Sequence, residues 1–282
     1  MRGPAISRAR AAGLPFSISA AAWVDLLGYG SMIGEAELNP VDPRAKIAVT
    51  RLRAFHRIVA EHSGRHFKTL VINDGAVAYR DLSLRSNGIT HDFLQRSFLL
   101  FDAISELERR NGWPGARMVV AAGFRARGSR RGIDAAAARV ERILERMAAG
   151  VIAPEQAVRE AGSIQRYSDD IPQLQANFAF TRAYVADAGG SSAGLGGPRM
   201  FVDTALFAGG KTPPWVTAGP LIPFQEPRLG LQCTFAPVTG LEAPGRGEGL
   251  SIPGLRDGLE IGEAIAPTLS LRKLIKAARE TS

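Results

Sequence analysis

Two aspartates carry the clearest chemical signal in this sequence. Asp25 follows the small and apolar run Ser19-Ala20-Ala21-Ala22-Trp23-Val24, and Asp74 sits in Asn73-Asp74-Gly75 between two further apolar runs. A carboxylate closing a strand that is apolar on both faces is costly without a partner. Two carboxylates brought close together repel unless a cation lies between them. Hard divalent cations such as Mg²⁺ use few protein carboxylates and take their other ligands from water and substrate phosphates. The pair therefore reads as a metal–triphosphate site. Taken alone, Asp74 also reads as a plain turn residue, since Asp before Gly is common in hairpins.

The elements that must position this pair follow from pattern. Ser19 to Leu27 reads as a buried strand, loosened afterwards by Gly28, Gly30 and Gly34. Asp42-Pro43 starts a helix, with Asp as N-cap and Pro at the first helical position. Ala45, Ala48, Val49, Leu52, Phe55 and Val59 continue it at three-four spacing, and Gly64 closes it. Thr69-Leu70-Val71-Ile72 and Ala76-Val77-Ala78-Tyr79 flank the Asp-Gly turn as two hairpin strands. A helix is predicted over 91–110, a strand over 116–124, a charged amphipathic helix over 134–149 and a short one over 154–161. A helix over 171–188 follows, then a glycine-rich loop and a strand over 199–202. Residues 209–268 hold 11 Gly and 9 Pro, which predicts at most short strands, one of them through Leu229, Leu231, Cys233 and Phe235.

The order strand, helix, hairpin, helix, strand, with Asp25-Leu26-Leu27-Gly28-Tyr29 and Lys68-Thr69-Leu70-Val71-Ile72-Asn73-Asp74-Gly75, resembles the catalytic domain of class III nucleotidyl cyclases. The resemblance covers about residues 18–125 and, more loosely, 172–206. It implies an α+β sandwich: a mixed, mostly antiparallel sheet with helices on one face. It implies Asp25 and Asp74 as ligands of Mg²⁺ or Mn²⁺, and backbone amides around Leu27, Gly28 and Tyr29 as phosphate contacts. It implies a nucleoside triphosphate as substrate, a 3′,5′-cyclic nucleotide and pyrophosphate as products, and a homodimer with the site built between two chains. The family places an Asn and an Arg one helical turn apart. Arg182 matches the Arg; the position one turn earlier is Phe178, with Asn177 beside it. Two functions stay open, a cyclase and a catalytically inactive nucleotide sensor or interaction module of the same fold.

The chain of 282 residues divides on this reading into a basic N-terminus (1–17), a cyclase-like domain (18–208) with a helical insertion at about 126–172, and a Pro/Gly-rich extension (209–282) ending in a short basic helix. With 45% hydrophobic and 22% charged residues, composition excludes collagen, a coiled-coil rod and a wholly disordered chain. No apolar run is long enough for a bilayer span, so no membrane partner is expected. A single cysteine, Cys233, favours a reducing compartment such as the cytoplasm. The net charge of +8 fits an anionic small molecule. It argues less for nucleic acid, because no aromatic residues alternate with Arg117, Arg125, Arg127, Arg130 and Arg131. The arginines from 125 to 131 read as a solvated loop. Gly209-Gly210-Lys211-Thr212 fits a relaxed phosphate-loop pattern, but Pro213 and Pro214 oppose the helix that such a loop requires. His56, His62 and His66 read as residues of a helix and the strand after it rather than as zinc ligands, because Gly64 breaks the helix between the last two.

Overall fold

The computed structural model describes residues 14 and 16–126, parts of 142–160, residues 174 and 176–244, and residues 251–280. Its centre is β1 (Phe16–Leu26), whose alternate residues pack on both faces of the sheet. Ile18, Ala20, Ala22, Val24 and Leu26 face one layer, and Trp23 faces the other. Such two-sided burial is why the strand reads as almost continuously apolar.

Seven further described strands build one sheet with β1: β2 (Thr69–Ile72), β3 (Gly75–Asp81), β4 (Ala116–Ala126), β5 (Met200–Asp203), β6 (Val216–Ala218), β7 (Ile222–Glu226) and β8 (Leu231–Leu241). The order is β2-β3-β1-β4-β5-β8-β6, with β7 also paired to β8. Only β4 and β5 run parallel among the described pairs. The fold is thus the α+β class expected, with a mixed and mostly antiparallel sheet.

One face carries α2 (Pro43–His62) and α3 (Gly88–Arg110), which bury Phe55, Val59, Phe93, Leu100 and Ile104 against the sheet. Asp42 caps α2 as expected, its carboxylate accepting from the Arg44 amide at 2.8 Å. The short α1 (Tyr29–Glu35) links β1 to this layer. The helical cover is not confined to that face. The helix α4 (Phe178–Gly189) lies on the other, packing Ala183 and Ala186 against Trp23, Val119 and Phe201. Its contact with β4 is backbone to backbone: a Cβ on Gly123 would stand 2.3 Å from the Ala179 nitrogen.

The division at residue 208 does not separate the sheet. β8 pairs with β5 through residues 235–238, so the Pro/Gly-rich tail completes the same sheet. Pro and Gly are dense across the tail as a whole, but β8 itself contains only Pro237 and Gly240. Most of the other described ones, such as Pro213, Pro214, Gly219, Pro220, Pro227 and Gly230, fall between the strands. The tail ends in α5 (Gly258–Ile265), held by an Asp257–Glu260 capping box, and α6 (Leu269–Glu280). Gly262 of α5 seats directly on Ile18 of β1. The insertion expected at 126–172, with its two helices and with Arg127, Arg130 and Arg131, lies mostly outside the described residues. Among the described residues, no helix is long and apolar enough to cross a membrane.

Candidate functional site

Asp25 is the penultimate residue of β1 and pairs with Gly75 of β3 on one side and Arg117 of β4 on the other. The β2–β3 turn brings Asp74 alongside, because the Leu26 amide donates to the Asp74 carbonyl at 3.2 Å. Directly paired residues share a face, so the Asp25 side chain lies on the α4 side of the sheet with Arg117 and with Trp23 two residues earlier. The hairpin tip is held from several directions. Asn73 takes φ 56°, a left-handed conformation that Asn tolerates. Its Nδ2 donates to Asp74 Oδ1 at 2.9 Å, and His56 Nε2 of α2 lies 3.1 Å from its carbonyl. Gly75 is required for space, since a Cβ there would stand 2.3 Å from the Trp23 ring.

The electrostatics around Asp25 are unusual. Burial, then the carboxylates of Asp187 and Asp74, push its pKa up to about 7, against the opposing pull of Arg117 and Arg51. Among the described residues the Asp25 side chain makes no hydrogen bond or ion pair. Both arginines are already committed elsewhere. Arg117 Nε donates to Asp187 Oδ1 at 2.5 Å, its Nη2 to the Asp187 carbonyl at 2.8 Å and its Nη1 to the Leu195 carbonyl at 3.3 Å. Arg51, fully buried, donates to Glu108 at 2.6 Å and to the carbonyls of Leu27 and Gly115 at 3.0 and 3.1 Å. With Asp25 ionised, Asp25, Asp74, Asp187 and Glu108 against Arg51 and Arg117 give −4 + 2 = −2. Among the described residues no cluster of three or more His, Cys, Asp or Glu is arranged to hold a metal. Asp25 and Asp74 are the two carboxylates at these strand ends, one on β1 and one on the β2–β3 turn.

The other expected site residues are placed less simply. Leu27 directs its amide to the Gly115 carbonyl at 2.9 Å, so that amide is spent inside the fold and is not a phosphate contact. Gly28, at φ 71°, and Tyr29 open α1. The Tyr29 side chain is buried, and burial together with the Asp74 charge raises its pKa. Arg182 is not beside the aspartates. It pairs with Asp203 at 2.7 Å, and Asp203 lies against the Ala122 amide. That is five residues along β4 from Arg117, about 17 Å at the rise of a strand. Asn177 is the N-cap of α4, buried, accepting from the Phe180 amide at 3.2 Å, while Phe178 is exposed.

Three residues of this neighbourhood escape sequence reasoning: Trp23, Arg117 and Asp187. The Trp23 Nε1 donates to Asp187 Oδ2 at 3.1 Å across 164 residues of chain. No local spacing announces that contact; the one available hint is that Trp23 stands two residues before Asp25 on the same strand face. Arg125, expected in a solvated loop, is instead half-buried in an ion pair with Asp81 and lies over the Tyr79 ring. The Gly209-Gly210 segment forms a short 3-10 turn followed by extended backbone at Lys211, so no helix begins there. Cys233 is half-buried, its thiol pushed up to about 12 by burial and the Asp203 charge.

No known family model matches this chain, and no curated protein is significantly similar to it. Among solved structures, the crystal structure of the guanylyl cyclase Cya2 is similar, with a TM-score of 0.43 at 12% identity over 86% of this chain and 98% of that chain. At that score and identity the likeness assigns no residue a role, and the site stands on its own geometry.

Proposed function

We propose that the protein binds a nucleoside triphosphate together with Mg²⁺ or Mn²⁺ at the strand ends carrying Asp25 and Asp74. The observation that carries this reading is the unpaired Asp25 carboxylate beside Asp74, in surroundings where each nearby arginine already has its own carboxylate. A bound divalent cation would neutralise the triphosphate and acidify a ribose hydroxyl. Asp25 and Asp74 would hold it, and the backbone of Gly28 and Tyr29 would face the phosphates. The finer reading is a nucleotidyl cyclase, forming a 3′,5′-cyclic nucleotide with release of pyrophosphate in a homodimer whose partner lends Arg182.

A specific observation favours the second reading, a catalytically inactive nucleotide sensor or interaction module. Arg182 is tied to Asp203 of its own chain and Asn177 to the start of its own helix, so the two side chains of the cyclase pattern are both occupied. Thermal shifts with each nucleoside triphosphate, with and without Mn²⁺, test the shared proposal. A stabilisation that requires both components and vanishes in Asp74→Asn is expected; its absence for every nucleotide overturns the proposal. Pyrophosphate release then separates the enzyme from the sensor.

A further inference from the structure

Arg117 is the direct cross-strand partner of Asp25 on the same sheet face. Opposite charges in that position normally pair with each other. Here they do not. The Arg117 guanidinium turns to α4, where Asp187 takes it through both its carboxylate and its backbone carbonyl, while Asp25 is left without a partner. Asp187 is itself fixed: it is buried, and Trp23 Nε1 donates to its second carboxylate oxygen. Gly190, just past the end of α4, packs against the guanidinium, so the turn leaves room for Arg117 to lie along the helix end.

We propose that Asp187 is a positioning residue that sequesters Arg117 away from Asp25, keeping the Asp25 carboxylate unpaired and open to a divalent cation. Asp187 does not touch the cation; its role is to hold the one cationic side chain that would otherwise occupy the same carboxylate. The proposal rests on the reading of Asp25 as a cation ligand. It also explains why three acidic groups, Asp25, Asp74 and Asp187, stand so near one another with only two arginines to offset them and Glu108. Sequestration makes α4 part of the site although it presents no ligand: any displacement of α4 from Gly123 would carry Asp187 away and release Arg117.

The test uses the full chain with Asp187→Asn, which keeps the shape and the acceptor for Trp23 but lowers the hold on Arg117. The metal-free crystal structure of this variant is expected to show the Arg117 guanidinium within ion-pair distance of Asp25. Mn²⁺ binding, followed by electron paramagnetic resonance without nucleotide, is expected to weaken at least tenfold. In the double variant Asp187→Asn, Arg117→Gln no cation remains to occupy Asp25, and binding is expected to return to within a few-fold of wild type. If the single variant fails to fold, the double variant carries the test: binding tenfold weaker than wild type overturns the proposal. Arg117 remaining against α4 in Asp187→Asn overturns it as well, whatever the Mn²⁺ result. A wild-type chain that binds no Mn²⁺ overturns the metal reading instead, while the position of Arg117 in the variant still reports on sequestration.

Discussion

Asp25 concentrates the cost of this site in one side chain. Its pKa of about 7 lies well above the ordinary 3.8, so the folded chain holds its proton more tightly than the unfolded chain does. Without metal, Asp25 therefore imposes no penalty below about pH 4, and its ionisation subtracts stability as pH rises from there to about 7. Asp25→Asn should therefore match wild type in urea denaturation near pH 4 and exceed it at pH 8. After allowance for solvent screening of a partly exposed group, the gain is about 1–2 kcal/mol. An equal difference at both pH values would show that Asp25 is not strained by its neighbours. Saturating Mn²⁺ should reverse the order at pH 8, because only wild type gains from binding. Asp25 itself was legible in the sequence, as a charge closing an apolar strand. Its neighbours Arg117 and Asp187 were not, because a cross-strand partner and a helix end are distant in sequence and joined only by pairing and packing.

At the scale of elements, the site depends on the seating of one hairpin and one helix on β1 and β4. Glycines permit both. Gly75 leaves room for the Trp23 indole, and Gly123 lets the first turn of α4 touch the strand backbone. Gly123→Ala puts a methyl group against the Ala179 backbone, which cannot rotate away as a side chain could. We expect a loss of about 2–3 kcal/mol in urea denaturation, with a change in tryptophan fluorescence as Trp23 loses its contacts with Phe180 and Tyr184. Unchanged stability would mean that α4 is loosely held. The hairpin was readable from Asn73-Asp74-Gly75 because turn chemistry is local. The closeness of α4 was not, since a glycine in a strand indicates an approach but not which element approaches.

Across the whole molecule, Arg51 and Glu108 tie the layers together. They join α2 and α3, and from there they reach the end of β1 through the Leu27 carbonyl and the start of β4 through both backbone groups of Gly115. Arg51→Met leaves Glu108 buried and uncompensated, and should cost about 3–5 kcal/mol. Adding Glu108→Gln, which keeps an acceptor for the Gly115 amide, should recover at least half; thermal or urea denaturation of the pair measures both. The tail is equally integral. A chain ending at residue 208 lacks β8 and exposes the edge of β5, so it should lose cooperative unfolding by circular dichroism. A sharp transition from that shortened chain would mean that the strands after 208 are an accessory.

What the sequence determined by itself was whatever depends on neighbours along the chain. The two-sided burial of β1, the capped start of α2 and the Asp-Gly hairpin all follow from hydrophobic period and turn chemistry. Tertiary structure decided what depends on distant chain segments meeting. It set α4 on the second face, drew the glycine-rich tail into the sheet, spent the Leu27 amide on Gly115 and committed Arg182 to Asp203. The physical reason is common to these cases. A polar group in a packed interior takes whichever partner the packing brings within reach, and that choice leaves no periodic trace in the residues on either side.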